Sequence, residues 1–302
     1  MAADATRLVP VEGPLDLVRT LRRYPVWGSL PTFRVEDGGV WWGIQTEGGP
    51  AGVHYRWEGA AAVRVEGFGP GGEAAVARAE DHLGVRDDPT VFQTDDPVLA
   101  PLLQRNPGLR FGRTMQIMDV LVATIIAQKV TGAGAYRSYR DLVFRHGVKL
   151  DAPVPLWAPP SAETLTGLGY YDFHPLGVER KRAMTILRIA RRARSLEGMV
   201  QRGDGELRAR LLRLPGVGPW TAETVLSVAL GDPDAVPTGD YNLPDMVAWT
   251  LAGEARADDD RMLELLEPFR PHRGRVVRLL LLTGRKPPRF GPRLPVRDIR
   301  RH

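Results

Sequence analysis

The sequence of 302 residues contains no cysteine. Disulfides, thiolate zinc sites, cysteine-ligated iron–sulfur clusters and a cysteine nucleophile are therefore excluded. No apolar run approaches the roughly 18 residues of a membrane-spanning helix, and the first ten residues lack the charged and apolar regions of a secretory signal. These absences predict a soluble, cytoplasmic protein with no membrane partner.

Lysine is scarce, because only four of the 41 basic residues are lysine, so arginine supplies almost all of the positive charge. The net charge is +5, yet residues 1–97 carry nine basic and 15 acidic side chains. The excess of positive charge therefore lies in the rest of the chain. A surface that binds a polyanion is expected there and not in the first third.

The first 90 residues show the pattern of a small α+β module. Residues 32–67 hold short segments rich in Val, Tyr, Trp and Thr, separated by glycine turns, which is typical of consecutive antiparallel strands. Residues 15–23 and 72–84 have apolar side chains at helical spacing. We expect residues 1–90 to form a domain in which an antiparallel sheet packs against helices.

After residue 90 the strand signals almost stop and amphipathic helical patterns follow, which predicts an all-α region of two helical lobes over residues 91–284. Proline-rich residues 151–160 are expected to link two groups of helices. Residues 285–302 form a basic tail rich in Pro and Arg, for which disorder and a docked conformation both stay open. The predicted helices span residues 114–131, 134–146, 178–196, 205–213, 219–230, 244–252, 259–267 and 273–283.

The most informative segment is LLRLPGVGPWTA, which runs from residue 211 to residue 222. Pro215 stops one helix, and Pro219 suits the first turn of the next. Between them, Gly216 and Gly218 permit backbone angles closed to other residues, and without side chains there the amide N–H groups can approach a phosphate oxygen. Such a hairpin binds nucleic-acid backbone without reading sequence. The alternative is an ordinary connection between two helices.

This hairpin, followed by AVPTGDY at residues 235–241, resembles the helix-hairpin-helix DNA glycosylase superfamily. Asp240 falls where that family places its catalytic carboxylate. Three other stretches, residues 106–113, 125–131 and 269–281, resemble parts of the family in the same order.

Two sequence features, the residue after the hairpin and the absence of cysteine, indicate which branch of this family the chain resembles. The bifunctional branch has a lysine two residues after the second hairpin glycine, where this chain has Trp220, and the cluster-bearing branches need four cysteines. The resemblance is therefore closest to the 3-methyladenine DNA glycosylase II (AlkA-like) type, which has a Trp there and an Asp 20 residues later.

The resemblance implies a monofunctional DNA glycosylase of base excision repair, without lysine-dependent lyase activity. Such an enzyme hydrolyses the N-glycosidic bond of a damaged, alkylated purine that is flipped out of duplex DNA. Asp240 would stabilise the cationic, oxocarbenium-like sugar and orient or deprotonate a water molecule. The alternative role for Asp240 is a helix cap, which fits poorly if Pro244 is the first residue of the following helix.

The base pocket is expected to be lined by Trp220 and supported by Tyr241, and a core position beneath the hairpin is the alternative for Trp220. Thr224 and Leu281 stand at pocket positions that the family fills with aromatic residues. Because stacked aromatics hold electron-poor alkylated bases, these two departures leave the lesion open.

Binding to double-stranded DNA is expected to involve the hairpin and the end of an earlier helix, where the family places its gap-inserting residues. The basic helix at 178–196 and Arg273 are candidates either for phosphate contact or for a solvated helix face. The residues expected to contact DNA are Gly216, Val217, Gly218, Thr221, Gln128, Lys129 and Arg273.

The resemblance also implies a structural Na+ or K+ ion at the hairpin, held by the backbone carbonyls of Leu212, Leu214 and Val217. No cofactor is expected to be required for the reaction, and no nucleotide cofactor is implied. We expect a monomer associated with the nucleoid.

Two rival functions stay open. The first is a non-enzymatic, structure-selective DNA-binding protein that kept the hairpin but lost the lesion pocket. The second is a glycosylase for deaminated bases, in which Thr224, Gln128 and Asn242 are candidates for hydrogen bonds to neutral base edges.

Overall fold

The structure is a computed structural model that describes residues 2–22, 30–203 and 205–288. Most of the predicted basic tail, residues 289–302, lies outside the described residues. Within the described part of the chain, no helix is long and apolar enough to cross a membrane.

The N-terminal part contains a five-stranded, fully antiparallel sheet, which confirms the predicted mixed α/β module. The first strand pairs at the edge with the last one, in the spatial order β1-β5-β4-β3-β2, and β2 to β5 form the predicted meander. The strands are β1 (Ala5–Pro10), β2 (Phe33–Glu36), β3 (Gly39–Thr46), β4 (Gly49–Glu58) and β5 (Ala62–Phe68).

Three short helices cover one face of this sheet: α1 (Leu17–Leu21), α2 (Gly72–Ala77) and α3 (Ala79–Leu83). Alternate residues of the strands point into the layer between sheet and helices, as the period of two in a strand requires. The largest fully buried side chain of this layer is Tyr55, whose hydroxyl lies 2.5 Å from His82 Nδ1.

His82 makes the stability of this layer depend on pH. Burial lowers the pKa of His82 to about 3, whereas histidine in the unfolded chain titrates near 6.5. Between these values the unfolded state binds a proton that the folded state does not bind, so stability falls as the pH falls below about 6.5. We expect a loss on the order of 2 kcal/mol between pH 7.5 and 4.5 from this group. Urea unfolding of wild type and His82→Gln at both pH values measures it, because the glutamine variant should lose less.

The expectation that residues 91–284 are all helical is wrong, because strands from this region cover the other face of the sheet. Residues 148–158 form a two-stranded antiparallel sheet, β6 (Val148–Lys149) and β7 (Trp157–Ala158), that packs on β3 and β4. Strands β3 and β7 approach each other so closely that a Cβ added at Gly43 would lie 2.0 Å from the Trp157 carbonyl oxygen. Proline prevents a helix here, and the apolar side chains instead cover Trp41 and Phe68 of the sheet.

The remaining elements are helices, most of them at the predicted positions. The predicted helix at 178–196 is two helices that break at Arg191 and Arg192, and α4, α7 and α8 were not predicted. The helices are α4 (Leu99–Arg105), α5 (Ile117–Ala127), α6 (Gly132–His146), α7 (Ala162–Thr166), α8 (Tyr170–Phe173), α9 (Arg180–Ala190), α10 (Ala193–Arg202), α11 (Leu207–Leu212), α12 (Pro219–Ala229), α13 (Leu243–Ala252), α14 (Asp259–Leu266) and α15 (Arg273–Leu282).

Two apolar clusters organise these helices. One surrounds α5, in which nine of the 11 residues are buried, and it includes residues of α6 and of α9 to α12. The other joins α13, α14 and α15 with residues before α5. The loop between α12 and α13 runs from one cluster to the other and carries Asp240.

Candidate active site

The predicted hairpin consists of α11, a tight turn and α12. Pro219 is the first residue of α12, as predicted. The turn is closed by the Val217 amide, which donates a hydrogen bond to the Leu214 carbonyl at 3.0 Å. Gly216 has a φ of +93°, and a Cβ there would lie 2.4 Å from Thr185 Oγ1 of α9. Gly216 is therefore required both by its backbone angle and by its contact with α9.

Gly218 differs from the prediction. Its φ and ψ are −100° and −179°, which is extended backbone that any residue adopts, and nothing lies within 4 Å of a Cβ placed there. The expectation that both glycines need special backbone angles is thus wrong for Gly218. A glycine there leaves open space in front of the first amides of α12, where a phosphate oxygen can approach.

We expect different defects when Gly216 and Gly218 are each replaced by alanine. Gly216→Ala should cost about 1–3 kcal/mol through its left-handed backbone, with a further loss from the clash with Thr185. Gly218→Ala should leave the unfolding free energy near that of wild type and weaken binding to duplex DNA. Urea unfolding and DNA titration of both variants measure this contrast. Normal DNA affinity of Gly218→Ala would show that close approach at this position is not used.

Side chains from two other helices hold the turn. Gln128, at the end of α5, donates its Nε2 hydrogens to the Gly216 carbonyl and to Thr221 Oγ1, both at 2.9 Å. Arg188 of α9 donates to the Pro215 carbonyl at 3.2 Å. The structure thus joins the end of α5 to the hairpin, and it brings Gln128 and Thr221, which were each expected to contact DNA, into direct contact with each other.

Lys129 follows directly and is exposed, with a φ of +55° that is uncommon for a residue other than glycine. It is placed next to the hairpin by the hydrogen bonds of Gln128. A positive φ in a lysine at the end of a helix directs the chain away from α5 towards α6.

Asp240 is held in a defined position by three N–H donors. The Trp220 indole Nε1 donates to Oδ2 at 3.0 Å, which joins the hairpin helix to this carboxylate. The backbone amides of Asn242 and Leu243 donate to Oδ1 at 2.8 and 2.9 Å. Because α13 begins at Leu243, Asp240 lies at the positive end of this helix.

Asp240 is not the N-cap residue of α13, because Asn242 holds that position. Pro244 is the second residue of the helix and not the first, as the sequence suggested. Asp240 Oδ1 nevertheless accepts the backbone amides of Asn242 and Leu243, so the carboxylate contributes to capping while Oδ2 accepts the Trp220 indole N–H. Capping and a chemical role are compatible, because a carboxylate accepts about four hydrogen bonds.

The other expected pocket residues are less closely joined to Asp240. Trp220 is half-buried, so it is not a fully enclosed core side chain. Thr224 Oγ1 donates to the Trp220 carbonyl at 2.7 Å, which turns its hydroxyl towards its own helix. Tyr241 is 79% exposed beside Asp240, and Leu281 is 59% exposed near the end of α15.

Arg273 is engaged by carboxylates. Its Nε and Nη2 donate to the two oxygens of Asp234 at 2.9 and 2.6 Å, and Nη1 donates to Glu267 at 3.4 Å. This double ion pair occupies the guanidinium at the start of α15, so the structure gives Arg273 a partner within the chain in place of the expected phosphate or solvent.

Sequence reasoning missed two residues beneath the hairpin. Thr185 lies against Gly216, as described, and Arg182, which stands in the basic helix, is buried and donates to the Ile126 carbonyl at 2.5 Å. Helical periodicity could have found Arg182, because it shares the buried side of α9 with Ile186 and Ile189.

Comparison with known proteins adds independent information. No protein-family model matches the chain. A putative DNA-3-methyladenine glycosylase of Bacillus subtilis is 24% identical over 178 residues, which cover 58% of this chain and 61% of the relative. A probable bifunctional transcriptional activator/DNA repair enzyme AlkA of Mycobacterium tuberculosis is 34% identical over 176 residues, which cover 56% of this chain and 35% of the relative. The chain thus matches less than two thirds of either relative's length.

The fold as a whole is similar to that of a solved 3-methyladenine DNA glycosylase from Archaeoglobus fulgidus. The TM-score is 0.79 at 22% identity, and the superposition covers 91% of this chain and 97% of the other. The chain is thus similar in part of its sequence to proteins named as a DNA-3-methyladenine glycosylase and as the DNA repair enzyme AlkA, and in its fold to a solved 3-methyladenine DNA glycosylase.

Proposed function

We propose that this protein is a monofunctional DNA glycosylase of base excision repair that hydrolyses the N-glycosidic bond of an alkylated purine. The observation that carries the proposal is the carboxylate of Asp240, fixed by the Trp220 indole and two backbone amides directly beside a hairpin built to approach phosphate. The relatives named as 3-methyladenine glycosylases support the lesion class.

In the proposed reaction the bond between the sugar C1′ and the purine nitrogen breaks, and its electron pair leaves with the base. A cationic, oxocarbenium-like sugar forms, and the Asp240 carboxylate stabilises it. Water adds to C1′, and its proton passes to the carboxylate or to solvent. A positively charged alkylated base is a good leaving group, so the site does not have to supply a strong acid.

The proposed DNA contacts centre on the hairpin. The amides near Gly218 bind a phosphate, the nucleotide flips out of the duplex towards Asp240, and Trp220 and Tyr241 line the pocket with Thr224 and Leu281 at its margin. Lys129 lies beside the duplex at the end of α5. Val217 lies in the turn, and the hydrogen bond from its N–H to the Leu214 carbonyl keeps the turn closed.

Three further expectations belong to the same proposal. Residues 1–90 and 91–284 form two domains that share a packed interface at residues 148–158, and the second domain has two helical lobes around the two apolar clusters. The carbonyls of Leu212, Leu214 and Val217 hold a monovalent cation that stiffens the turn. The protein acts as a monomer on double-stranded DNA and needs no other cofactor.

Lyase activity is not part of the proposal, because Trp220 stands where a lysine would form a Schiff base. The indole N–H of Trp220 donates its hydrogen bond to Asp240. Borohydride reduction during turnover should therefore trap no covalent complex between protein and DNA. A trapped complex would contradict the monofunctional assignment.

The function is tested by chromatography of the bases that wild-type protein releases from methylated duplex DNA and from deaminated duplex DNA. Release of a methylated purine supports the proposal. Release of hypoxanthine, xanthine or uracil alone would favour the deaminated-base glycosylase. Binding to both DNAs without release of any base would favour the non-enzymatic binding protein.

A further inference from the structure

One side of α9 carries a row of polar and basic residues at spacings of four, three and four positions, which places them on a single face of the helix. Arg192 follows the end of α9 and stays in the row, because its Nη1 donates to the Arg188 carbonyl at 3.4 Å. The residues of this row are Lys181, Thr185, Arg188 and Arg192.

This face contacts the hairpin turn. Thr185 lies under Gly216, close enough to exclude a Cβ there, and Arg188 donates to the Pro215 carbonyl at 3.2 Å. Pro215 and Gly216 are themselves exposed. The row therefore continues the surface that the hairpin presents, without an intervening element.

Among the residues that the structure describes, no carboxylate pairs with Lys181, Arg188 or Arg192 of this row. Residues 180–194 contain seven basic residues and no acidic one. In the described part of the chain, the salt bridges of this segment are limited to Arg182 with Glu179. The hydrogen bonds of Arg188 and Arg192 go to backbone carbonyls. Arg208, by contrast, faces two carboxylates.

The length of the row suits a nucleic-acid strand. Eleven residues separate Lys181 from Arg192, which is about 16 Å along a helix at about 1.5 Å per residue. A DNA strand rises about 3.4 Å per nucleotide, so this length corresponds to about five nucleotides. Long basic side chains reach several adjacent phosphates over that distance.

We propose that Lys181, Arg188 and Arg192, called here the α9 ridge, form a second phosphate-binding surface that extends the contact of the hairpin along duplex DNA. This inference rests on the proposed function for the identity of its ligand. The ridge contributes affinity that does not depend on the lesion, and it holds the protein on undamaged DNA between lesions.

The test is the salt dependence of binding to undamaged duplex DNA. The double variant Lys181→Gln/Arg192→Gln removes two exposed charges without touching the Arg188 bond to the turn. We expect the slope of log affinity against log salt to fall by about 1.8, since each phosphate contact contributes about 0.9. The matched control is Arg202→Gln/Arg256→Gln, which removes the same charge from the far end of α10 and from a side chain that is 83% exposed.

The control should keep the wild-type slope. Equal slopes for the ridge variant and wild type, or an equal decrease in ridge variant and control, would overturn the proposal. Circular dichroism of both variants shows that each is folded.

Base release separates this inference from the proposed function. At saturating enzyme, the ridge variant should release a methylated base at the wild-type single-turnover rate, while the enzyme concentration for half-maximal rate rises. A reduced slope together with no base release by wild type would retain the ridge and refute the glycosylase. A lower rate at saturation would place the ridge in catalysis and overturn its role as a binding surface.

Discussion

Asp240→Asn is expected to slow base release from methylated DNA at least about a thousandfold, because it removes the charge that stabilises the cationic sugar. The carboxamide oxygen can still accept the amides of Asn242 and Leu243, so the cap of α13 survives. The carboxamide nitrogen then faces the Trp220 N–H, so two hydrogen-bond donors oppose each other and the bond between these side chains is lost. The fold and the affinity for duplex DNA should be retained. Single-turnover rates at saturating enzyme measure the effect.

The matched control is Asp245→Asn, which removes a negative charge from the first turn of the same helix. Asp245 Oδ1 accepts the Ala257 amide at 3.0 Å, and an asparagine oxygen can keep that bond. Its rate should stay near that of wild type. Equal losses in the two variants would assign the effect to α13 and not to the chemistry of Asp240.

Arg275→Met is expected to destabilise the protein by about 3–5 kcal/mol, because it leaves a carboxylate without its partner in a buried position. The Arg275 side chain is 3% exposed, pairs with Asp87 and stacks over Phe111, with 4.7 Å between the guanidinium carbon and the ring centroid. Asp87 also accepts the Phe111 amide at 2.7 Å. These contacts fix residues that precede α5 against α15.

Arg270→Met provides the comparison on the exposed side of the same region. Arg270 pairs with Asp234 and Glu267, but its side chain is 52% exposed, so its loss should cost at most about 1 kcal/mol. Urea unfolding of the two variants measures the difference. Adding Asp87→Leu to Arg275→Met should recover part of the loss, and equal losses for Arg275 and Arg270 would refute the buried pair.

The parts of the fold that the sequence predicted are those encoded by local pattern. The meander was found because apolar residues alternate between glycine turns. The strand β1 was missed because it is a half-exposed edge strand, with a single buried residue, Val9. Residues 151–160 were expected to be a linker, because nothing local shows that residues 148–158 cover the second face of a distant sheet.

The candidate site was predicted where the hairpin motif and the spacing of Trp220 and Asp240 carry the information, and the structure joins these two residues. The expected start of α13 at Pro244 was wrong by one residue, because local pattern does not fix helix ends more closely than one or two residues. The charge pattern could not separate buried Arg182 from the exposed residues of α9, since that depends on packing against α5.

The most direct test of the central claim uses a duplex that carries one methylated purine, with enzyme in excess, and follows both bound DNA and free base. The account predicts that wild type and Asp240→Asn bind all of the duplex, and that only wild type releases the methylated base and leaves an abasic strand. Release of the base by both proteins at similar rates, or by neither while both bind, would contradict it.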